Sequence, residues 1–228
     1  MDHPVKEIRT VIKSLVQGTP AEQERAINNY FLPEASFTHP FCHVPAVEPV
    51  TLPLTGYTIS SRWFILMIYR WYRILSPRID IEIDSVVHDQ KANILYVTMT
   101  QIFTYFFLPF YHANPHFTII LTLEQRPLGP DGGPLPNPEA GAIADAPAGT
   151  ATVNGDTPRM RYFIASQNDH YQVTEWLKFV APWFGPLLHR GWQLFATLLS
   201  VAGALLLAPL SWLELQAGET SKKGLLAE

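Results

Sequence analysis

The sequence predicts an α+β domain with an antiparallel sheet, followed by a membrane helix near the C-terminus. Three patterns support this prediction. Apolar residues recur at helical spacing in the first third of the 228-residue chain, and they alternate with polar residues from Ile79 onward. A run of 22 residues from Trp192 to Leu213 contains no charged side chain. At a rise of about 1.5 Å per residue, it is long enough to cross a hydrocarbon core of about 30 Å.

Two helices are expected before the first proline-rich segment. Apolar residues fall at helical spacing over Pro4–Val16, and Gly18 follows as a stop signal. Residues 19–22, with the sequence TPAE, resemble a capping box that opens a second helix, which ends before Pro33. Residues 33–56 are too rich in proline for a long helix, so they are interpreted as a strand fragment followed by a loop.

A third helix is expected over about residues 60–75. Its surface is apolar nearly all round, with three arginines as exceptions at positions 62, 70 and 73. A helix that is apolar on most faces has to be covered on most faces, so this segment is predicted to lie against the rest of the domain.

Beyond the third helix the sequence period changes from 3.6 to 2, which predicts strands. Ile79, Ile81 and Ile83 alternate with residues of an acidic outward face: Asp80, Glu82 and Asp84. A turn is expected at residues 88–93, followed by strands in three segments: residues 94–107, 116–126 and 159–168. Because the connections between these strands are too short for helical crossovers, the sheet is predicted to be antiparallel.

A proline- and glycine-rich insertion interrupts the predicted sheet. Residues 127–158 contain seven prolines and six glycines, and such a segment cannot bury enough apolar surface to offset its chain entropy. We therefore predict a disordered hairpin insertion inside one domain. The resulting division of the chain is a folded domain at residues 1–180, an interfacial segment at 181–191, a membrane helix at 192–213 and a polar tail at 214–228.

Aromatic residues flank the predicted membrane helix. Trp192 and Trp212 lie near its two ends, where indole rings favour the headgroup level. Trp183 and Phe184 belong to a proline-broken apolar stretch that suits the bilayer surface. We expect a tail anchor that crosses once, with a membrane-embedded hairpin as the alternative. The basic residues at 189–190 argue against the hairpin, since it would bury them in lipid.

The expected location is a membrane facing the cytosol, such as the endoplasmic reticulum or a lipid droplet. The charged N-terminus lacks the apolar region of a secretory signal. A single cysteine, Cys42, excludes an intramolecular disulfide and fits a reducing compartment.

Several functional classes receive no support from the sequence. A net charge of −4 offers no attraction to nucleic acid. The chain has no phosphate-binding glycine loop, no GxSxG motif and no dinucleotide fingerprint, so no cofactor is expected. Its histidines and cysteine show neither CxxC nor HExxH spacing, so no metal site is expected.

The sequence resembles the SigF-like group, found in fungi, of the nuclear-transport-factor-two-like superfamily. The resemblance lies in YFLPEASFTHPF, SRWFILMIYRWYRILSPRIDI, SQNDHYQVTEWLKF and the final hydrophobic segment, and it covers most of residues 4–213 without the insertion. It implies a cone in which a curved sheet wraps a long helix and leaves a pocket. That superfamily includes dehydratases, isomerases and cyclases as well as non-catalytic binding domains, so the fold leaves the function open.

Two residues are candidates for proton transfer. The imidazole of His39 would titrate near neutral pH, and desolvation in a pocket would raise the pKa of Asp169. Further polar groups are expected around an aromatic pocket: Arg62, Tyr69, Tyr72, Tyr96, Tyr105, His112 and Asn168. Structural roles are the alternatives, with Asp169 or Asn168 capping the next helix, His39 bonding to a loop, and the aromatic rings forming ordinary core.

Three hypotheses of function follow. The first is a membrane-anchored, non-catalytic module that binds a hydrophobic small molecule or a partner protein. The second is a membrane-bound dehydratase, isomerase or cyclase that acts on an apolar metabolite through His39 and Asp169. The third is a scaffold that forms a homodimer through its sheet. An acid–base pair must reach one shared position, so the enzyme hypothesis requires both side chains to face one cavity.

Overall fold

The computed structural model describes residues 1–51, 53, 56, 58–108, 110–128, 133–135, 159–181 and 183–225, with side chains up to Ala208. Most of the predicted insertion at 127–158 therefore lies outside the described residues, and so do the side chain of Trp212 and the end of the predicted polar tail. At the start of the insertion, Leu128 pairs with Pro134, and the Leu135 N–H donates to the Pro127 carbonyl at 3.0 Å.

The predicted helices at the N-terminus are present as α1 (Pro4–Val16) and α2 (Pro20–Tyr30). The capping box at the start of α2 is confirmed. The Glu22 N–H donates to Thr19 Oγ1 at 3.3 Å, and the Thr19 N–H donates to Glu22 Oε2 at 2.7 Å. These two bonds satisfy backbone donors that the first turn of a helix leaves without partners.

Within the described residues, nine strands and three further helices follow. In chain order they are β1 (Phe31–His39), β2 (Cys42–Val44), β3 (Val50–Thr51), β4 (Thr58–Ile59), α3 (Ser61–Leu75), β5 (Ile79–Asp89), β6 (Ile94–Thr104), β7 (His112–Ala113), β8 (His116–Pro127), β9 (Met160–Tyr171), α4 (Val173–Val180) and α5 (Gly185–Leu225). The main sheet has the order β2-β1-β9-β8-β6-β5, with β7 paired to β6. Strands β3 and β4 form a separate pair.

The sheet is mixed rather than purely antiparallel. The consecutive strands β5, β6 and β8 pair antiparallel as expected, and so do β8 and β9. Strand β1, however, pairs parallel to β9, with Phe37 opposite Gln167. The argument from short connections applies only to strands that are neighbours in sequence, and more than a hundred residues separate β1 from β9. The expected strand fragment in residues 33–56 is also a full nine-residue strand.

The main core lies between one face of the sheet and helices α1 and α3. Its largest fully buried side chains include Phe31, Phe37 and Phe163 from the strands, with Ile8 from α1 and Ile65 from α3. The acidic side of β5 faces solvent, as predicted. Contrary to the expectation that α3 is covered on most faces, its outer face is open, with three exposed apolar residues: Phe64, Trp71 and Ile74.

Helix α5 is the candidate membrane span. Its stretch Gly185–Ala208 has a mean hydropathy of 1.7, and after the buried Gly185 every residue up to Ala208 is half-buried or exposed. The helix begins at Gly185 rather than at residue 192, so it includes most of the segment predicted to be interfacial, residues 181–191. Four residues separate it from α4. Trp183, Phe184 and Trp192 are all exposed. One helix of this length and composition is therefore free to contact a membrane.

We expect Phe163→Ala to destabilise the folded domain by about 3–5 kcal/mol, because the ring is fully buried and its removal leaves a cavity. Phe110→Ala is a matched control, since the Phe110 ring is exposed, and it should change stability by no more than about 0.5 kcal/mol. Chemical denaturation of the full chain in detergent measures both values. Similar losses in the two variants would contradict this description of the core.

Candidate functional site

A cavity of about 100 Å³ lies between the sheet, α1 and α3, with α4 at one side. Its wall is mostly apolar, with contributions from Ile12 and Leu15 on α1, Met99 and Phe117 on the sheet, and Phe179 on α4. Polar side chains also reach this wall: His39, Tyr69, Tyr72, Gln101, Tyr105, Gln167, Asp169 and Tyr171. An apolar enclosure with a few polar groups is the usual form of a small-molecule site.

Asp169 is held in this wall by a chain of hydrogen bonds from α3. The Tyr69 hydroxyl donates to Gln167 Oε1 at 2.9 Å, and Gln167 Nε2 donates to Asp169 Oδ1 at 2.9 Å. Because alternate residues of a strand face the same side, Gln167, Asp169 and Tyr171 all point from β9 into the cavity. Gln167 therefore occupies one carboxylate oxygen of Asp169 and fixes the orientation of the group.

The surroundings of Asp169 favour its neutral form. The residue keeps some accessible surface because it lines the cavity, but protein surrounds it on its other sides. Desolvation is the main effect and raises the pKa of Asp169 to about 7, against a smaller opposing effect from the Gln167 hydrogen bond. No arginine or lysine is among the described residues of the cavity wall. A carboxyl group that titrates near pH 7 can both accept and return a proton.

His39 lines the same cavity from the end of β1. Its Nδ1 accepts a hydrogen bond from the Phe41 N–H at 3.3 Å. Aromatic rings surround the imidazole, with centroids of Tyr171 at 5.2 Å and of Tyr72 at 5.4 Å. Desolvation lowers the pKa of His39 to about 4. The imidazole is therefore neutral at pH 7, with its proton on Nε2, so it serves as a hydrogen-bond donor rather than a base.

Three of the expected tyrosines lie on the cavity wall. Burial raises the pKa of Tyr69 and Tyr72 far above the ordinary tyrosine value and raises that of Tyr105 to about 12, so all three hydroxyls stay protonated. The Tyr72 hydroxyl pairs with Cys42 Sγ at 3.5 Å. The Tyr105 hydroxyl donates to the Phe179 carbonyl at 3.1 Å, which attaches the end of α4 to the cavity.

Four residues expected in the pocket lie outside it: Arg62, Tyr96, His112 and Asn168. Arg62 Nη1 donates to the carbonyl oxygens of Asn28 and Phe31 at 3.1 and 3.4 Å. The guanidinium therefore supports the connection from α2 to β1. His112 is exposed, and its Nδ1 pairs with the Thr104 hydroxyl at 2.8 Å.

Strand alternation accounts for the other two. Tyr96 lies between the fully buried Leu95 and Val97 on β6, so its ring points to the opposite, accessible face. Asn168 lies between two cavity residues of β9 and points away from the cavity for the same reason. Strand alternation could have predicted the cavity positions of Gln167 and Tyr171, since a strand that directs Asp169 inward directs these two residues inward as well. Tyr171 was missed because the strand was predicted to end at residue 168, whereas Gln167 lies within that predicted strand.

Helix capping does not explain Asp169. Strand β9 continues to Tyr171, and the N-cap of α4 is Gln172. Asp169 is therefore a strand residue in the cavity wall, three positions before the cap. For His39, both predicted positions are observed. The residue accepts a hydrogen bond from the Phe41 N–H in the loop, and it also lines the cavity.

An apolar groove of about 690 Å³ adjoins the cavity along the outer side of α3. Both spaces are bounded by the same five residues: Phe41, Tyr72, Leu75, Tyr105 and Phe179. Neither Phe41 nor Phe179 was a candidate, because nothing in the sequence distinguishes a boundary phenylalanine from a core one. Within the described part of the chain, no three histidine, cysteine or acidic side chains approach closely enough to hold a metal ion.

A family model described as the SigF NTF2-like domain matches residues 1–130, which is more than half of the chain. A comparison with curated proteins found no match. Similar solved structures include a protein of ketosteroid isomerase-like fold from Catenulispora acidiphila DSM 44928, in complex with trimethylamine. It is 10% identical, with coverage of 75% of this chain and 89% of its own and a TM-score of 0.43.

An NTF2-like protein of unknown function from Burkholderia pseudomallei K96243 is also similar. It is 10% identical, with coverage of 76% of this chain and 96% of its own and a TM-score of 0.41.

The two titrating groups of the cavity should give opposite dependences of stability on pH. Folding raises the pKa of Asp169 from 3.8 to about 7, so the folded chain keeps a proton that the unfolded chain releases, and this contribution to stability falls as pH rises through that window. Folding lowers the pKa of His39 from 6.5 to about 4, so the unfolded chain binds the extra proton, and this contribution rises with pH.

We expect these two effects to oppose one another in the wild type. Asp169→Asn should leave only the rise due to His39, of at most about 3–4 kcal/mol, and His39→Gln should leave only the fall due to Asp169, of at most about 4–5 kcal/mol, at about 1.4 kcal/mol per pKa unit. Urea denaturation of the full chain in detergent, across the pH range of the two windows, measures the slopes. Slopes of the same sign in the two variants would contradict this account of the cavity.

Proposed function

The chain belongs to the SigF NTF2-like family, and from that premise we propose that it binds an apolar small molecule in its cavity and transfers a proton on it through Asp169. The observation that carries the proposal is a carboxyl group in a mostly apolar wall, with no arginine or lysine among the described residues of that wall. Such a group lowers stability once it ionises, so a site that only retained apolar molecules would gain nothing from it. Perturbed carboxyl groups of this kind concentrate at functional sites.

The geometry supports a division of roles among the polar groups. Ionised Asp169 takes a proton from the bound molecule, and protonated Asp169 then returns it. Gln167 is a positioning residue, because its amide holds Asp169 Oδ1; the second carboxylate oxygen is the one assigned to the ligand in this proposal. His39, neutral and protonated on Nε2, donates a hydrogen bond to an oxygen on which negative charge develops. Isomerisation, dehydration and cyclisation are the reaction classes that use such a proton transfer.

The groove supports an apolar substrate that is larger than the cavity. Cavity and groove meet at Tyr72 and Leu75 on α3, so a molecule with its reacting end beside Asp169 can extend along the helix. The bound substrate would then cover the open apolar face of α3, where Phe64 and Trp71 are exposed in this groove. This substrate is more soluble in a membrane than in water, which gives the anchor a purpose.

We propose that α5 anchors the protein in a membrane, with the domain facing the cytosol. Its support is the apolar composition of Gly185–Ala208 and the exposure of this stretch, which is half-buried or exposed at every residue after Gly185. Binding without turnover remains the alternative to catalysis, and the Asp169 variant distinguishes the two. A homodimer through the sheet remains a prediction.

Asp169→Asn should abolish turnover and preserve binding, because it removes the proton acceptor and keeps the shape of the side chain. The full chain is purified in detergent from cells grown normally, and its retained compound is identified by mass spectrometry after incubation in D₂O. Reversible proton transfer on carbon should add deuterium to the compound held by the wild type and add none to that held by Asp169→Asn.

Asp80→Asn is the matched control, since Asp80 lies on the solvent-facing side of β5, and it should behave as the wild type does. The compound retained by Asp169→Asn is then added to fresh wild-type protein, which should convert it to an isomer, a dehydrated product or a ring-closed product. An unchanged compound without deuterium in all three proteins would establish binding without catalysis.

Deletion of residues 192–213 should release the protein from membranes. The full chain should stay in the membrane pellet after alkaline carbonate extraction. Carbonate releases proteins that are bound only peripherally, whereas about 20 apolar residues within the bilayer keep a protein in the membrane. A sequence-scrambled α5 of the same composition is the control, and it should also stay in the pellet. Extraction of the full chain into the soluble fraction would contradict the anchor.

A further inference from the structure

The segment between β6 and β7 exposes three phenylalanines that the cavity does not use. We call residues 105–111 the aromatic loop; its Pro109 lies outside the described residues. Phe106, Phe107 and Phe110 are 61%, 63% and 94% exposed, and none of them lines the cavity or the adjoining groove. Three large apolar side chains exposed within five residues form the kind of patch that marks a contact surface.

Both ends of the aromatic loop are bonded to the rest of the domain. The Tyr105 hydroxyl donates to the Phe179 carbonyl at 3.1 Å, and the Tyr111 hydroxyl donates to the Lys178 carbonyl at 2.7 Å. The Phe106 N–H donates to the Leu75 carbonyl at 3.0 Å. The loop is therefore attached to the last turn of α4 and to the end of α3.

The same turn of α4 leads directly into α5. The Gly185 N–H donates to the Ala181 carbonyl at 2.9 Å, and a Cβ at Gly185 would lie 2.8 Å from Ala181 Cβ, so the two helices approach too closely for a larger residue. Trp183 has a φ of 70°, which makes the sharp turn between them. Its ring contacts Tyr111 of the aromatic loop, with centroids 5.2 Å apart.

These contacts join the aromatic loop, the end of α4 and the start of α5 in one unit. A bilayer that receives α5 at Trp183 and Phe184 therefore lies beside the loop as well. Phenylalanine side chains suit the boundary between headgroups and acyl chains. A second copy of the chain is a less suitable partner, because the loop adjoins the start of α5, which the proposed anchor places in lipid.

We propose that Phe106, Phe107 and Phe110 insert into the leaflet that α5 enters and form a second membrane contact. The inference rests on the membrane anchor in the proposed function. Two contacts on one side of the domain prevent it from rotating about α5. Tyr105 of the loop and its partner Phe179 both line the cavity, so this orientation turns that side of the cavity towards lipid.

The depth of residue 107 in a bilayer tests the proposal. Nitroxide labels are attached to Phe107→Cys, to Leu198→Cys in α5 and to Val87→Cys at the exposed end of β5, each in a Cys42→Ser background. The full chains are reconstituted in phosphatidylcholine vesicles, and collisions with oxygen and with a water-soluble nickel chelate are measured by electron paramagnetic resonance.

We expect the labels at 107 and 198 to favour oxygen over nickel and the label at 87 to favour nickel. A nickel-accessible label at 107 beside a protected label at 198 would overturn the second contact and leave the anchor intact. Nickel access at both positions would overturn the anchor as well.

A measurement on the unmodified chain covers the case in which Cys42→Ser does not fold. Vesicles that carry a photoactivatable diazirine within the acyl chain are irradiated after reconstitution, and the modified peptides are identified by mass spectrometry. Lipid adducts should occur on the peptide that contains residues 106–110 and on α5, but not on the peptide that contains residues 79–89. Adducts on α5 without any on residues 106–110 would contradict the proposal.

Discussion

The hydrogen bond between Tyr69 and Gln167 connects the main helix of the domain to the strand at the centre of its sheet. Tyr69 is buried on α3, and Gln167 lies on β9 between β1 and β8. This bond sets the helix against the sheet at the cavity and leaves the Gln167 amide to hold Asp169. Packing of the core and orientation of the candidate catalytic group therefore depend on one buried pair, and a buried polar group without its partner would be costly.

The cavity combines two opposite effects of desolvation. Removal from water raises the pKa of a carboxyl group and lowers that of an imidazole, and Asp169 and His39 experience both in the same enclosure. At neutral pH, His39 is therefore neutral and Asp169 is close to its titration point, so a molecule that enters meets a neutral imidazole and a carboxyl group present in both its protonated and its ionised form. The proposed chemistry follows from this balance, since only a carboxyl group close to its titration point both accepts and returns a proton.

Part of this site could be predicted from residue types. His39 and Asp169 were candidates because imidazole and a desolvated carboxyl suit proton transfer, and both line one cavity. Arg62, Tyr96, His112 and Asn168 were expected beside them for their polarity alone. Polarity does not determine direction, however, and strand alternation and local backbone oxygens place those four elsewhere. Gln167 was missed because its importance comes from a partner on α3, 98 residues away in sequence.

The sequence by itself determined the helices at the N-terminus, the alternating strands, the capping box at Thr19 and the apolar C-terminal run, because periodicity and local hydrogen bonding act over a few neighbouring residues. Only the tertiary structure decided that β1 lies parallel to β9, that Gln167 connects Tyr69 to Asp169, and that the aromatic loop lies beside the start of α5. Those features arise from contacts between distant segments, and the free energy that selects them comes from burial in the assembled domain, which no local pattern records.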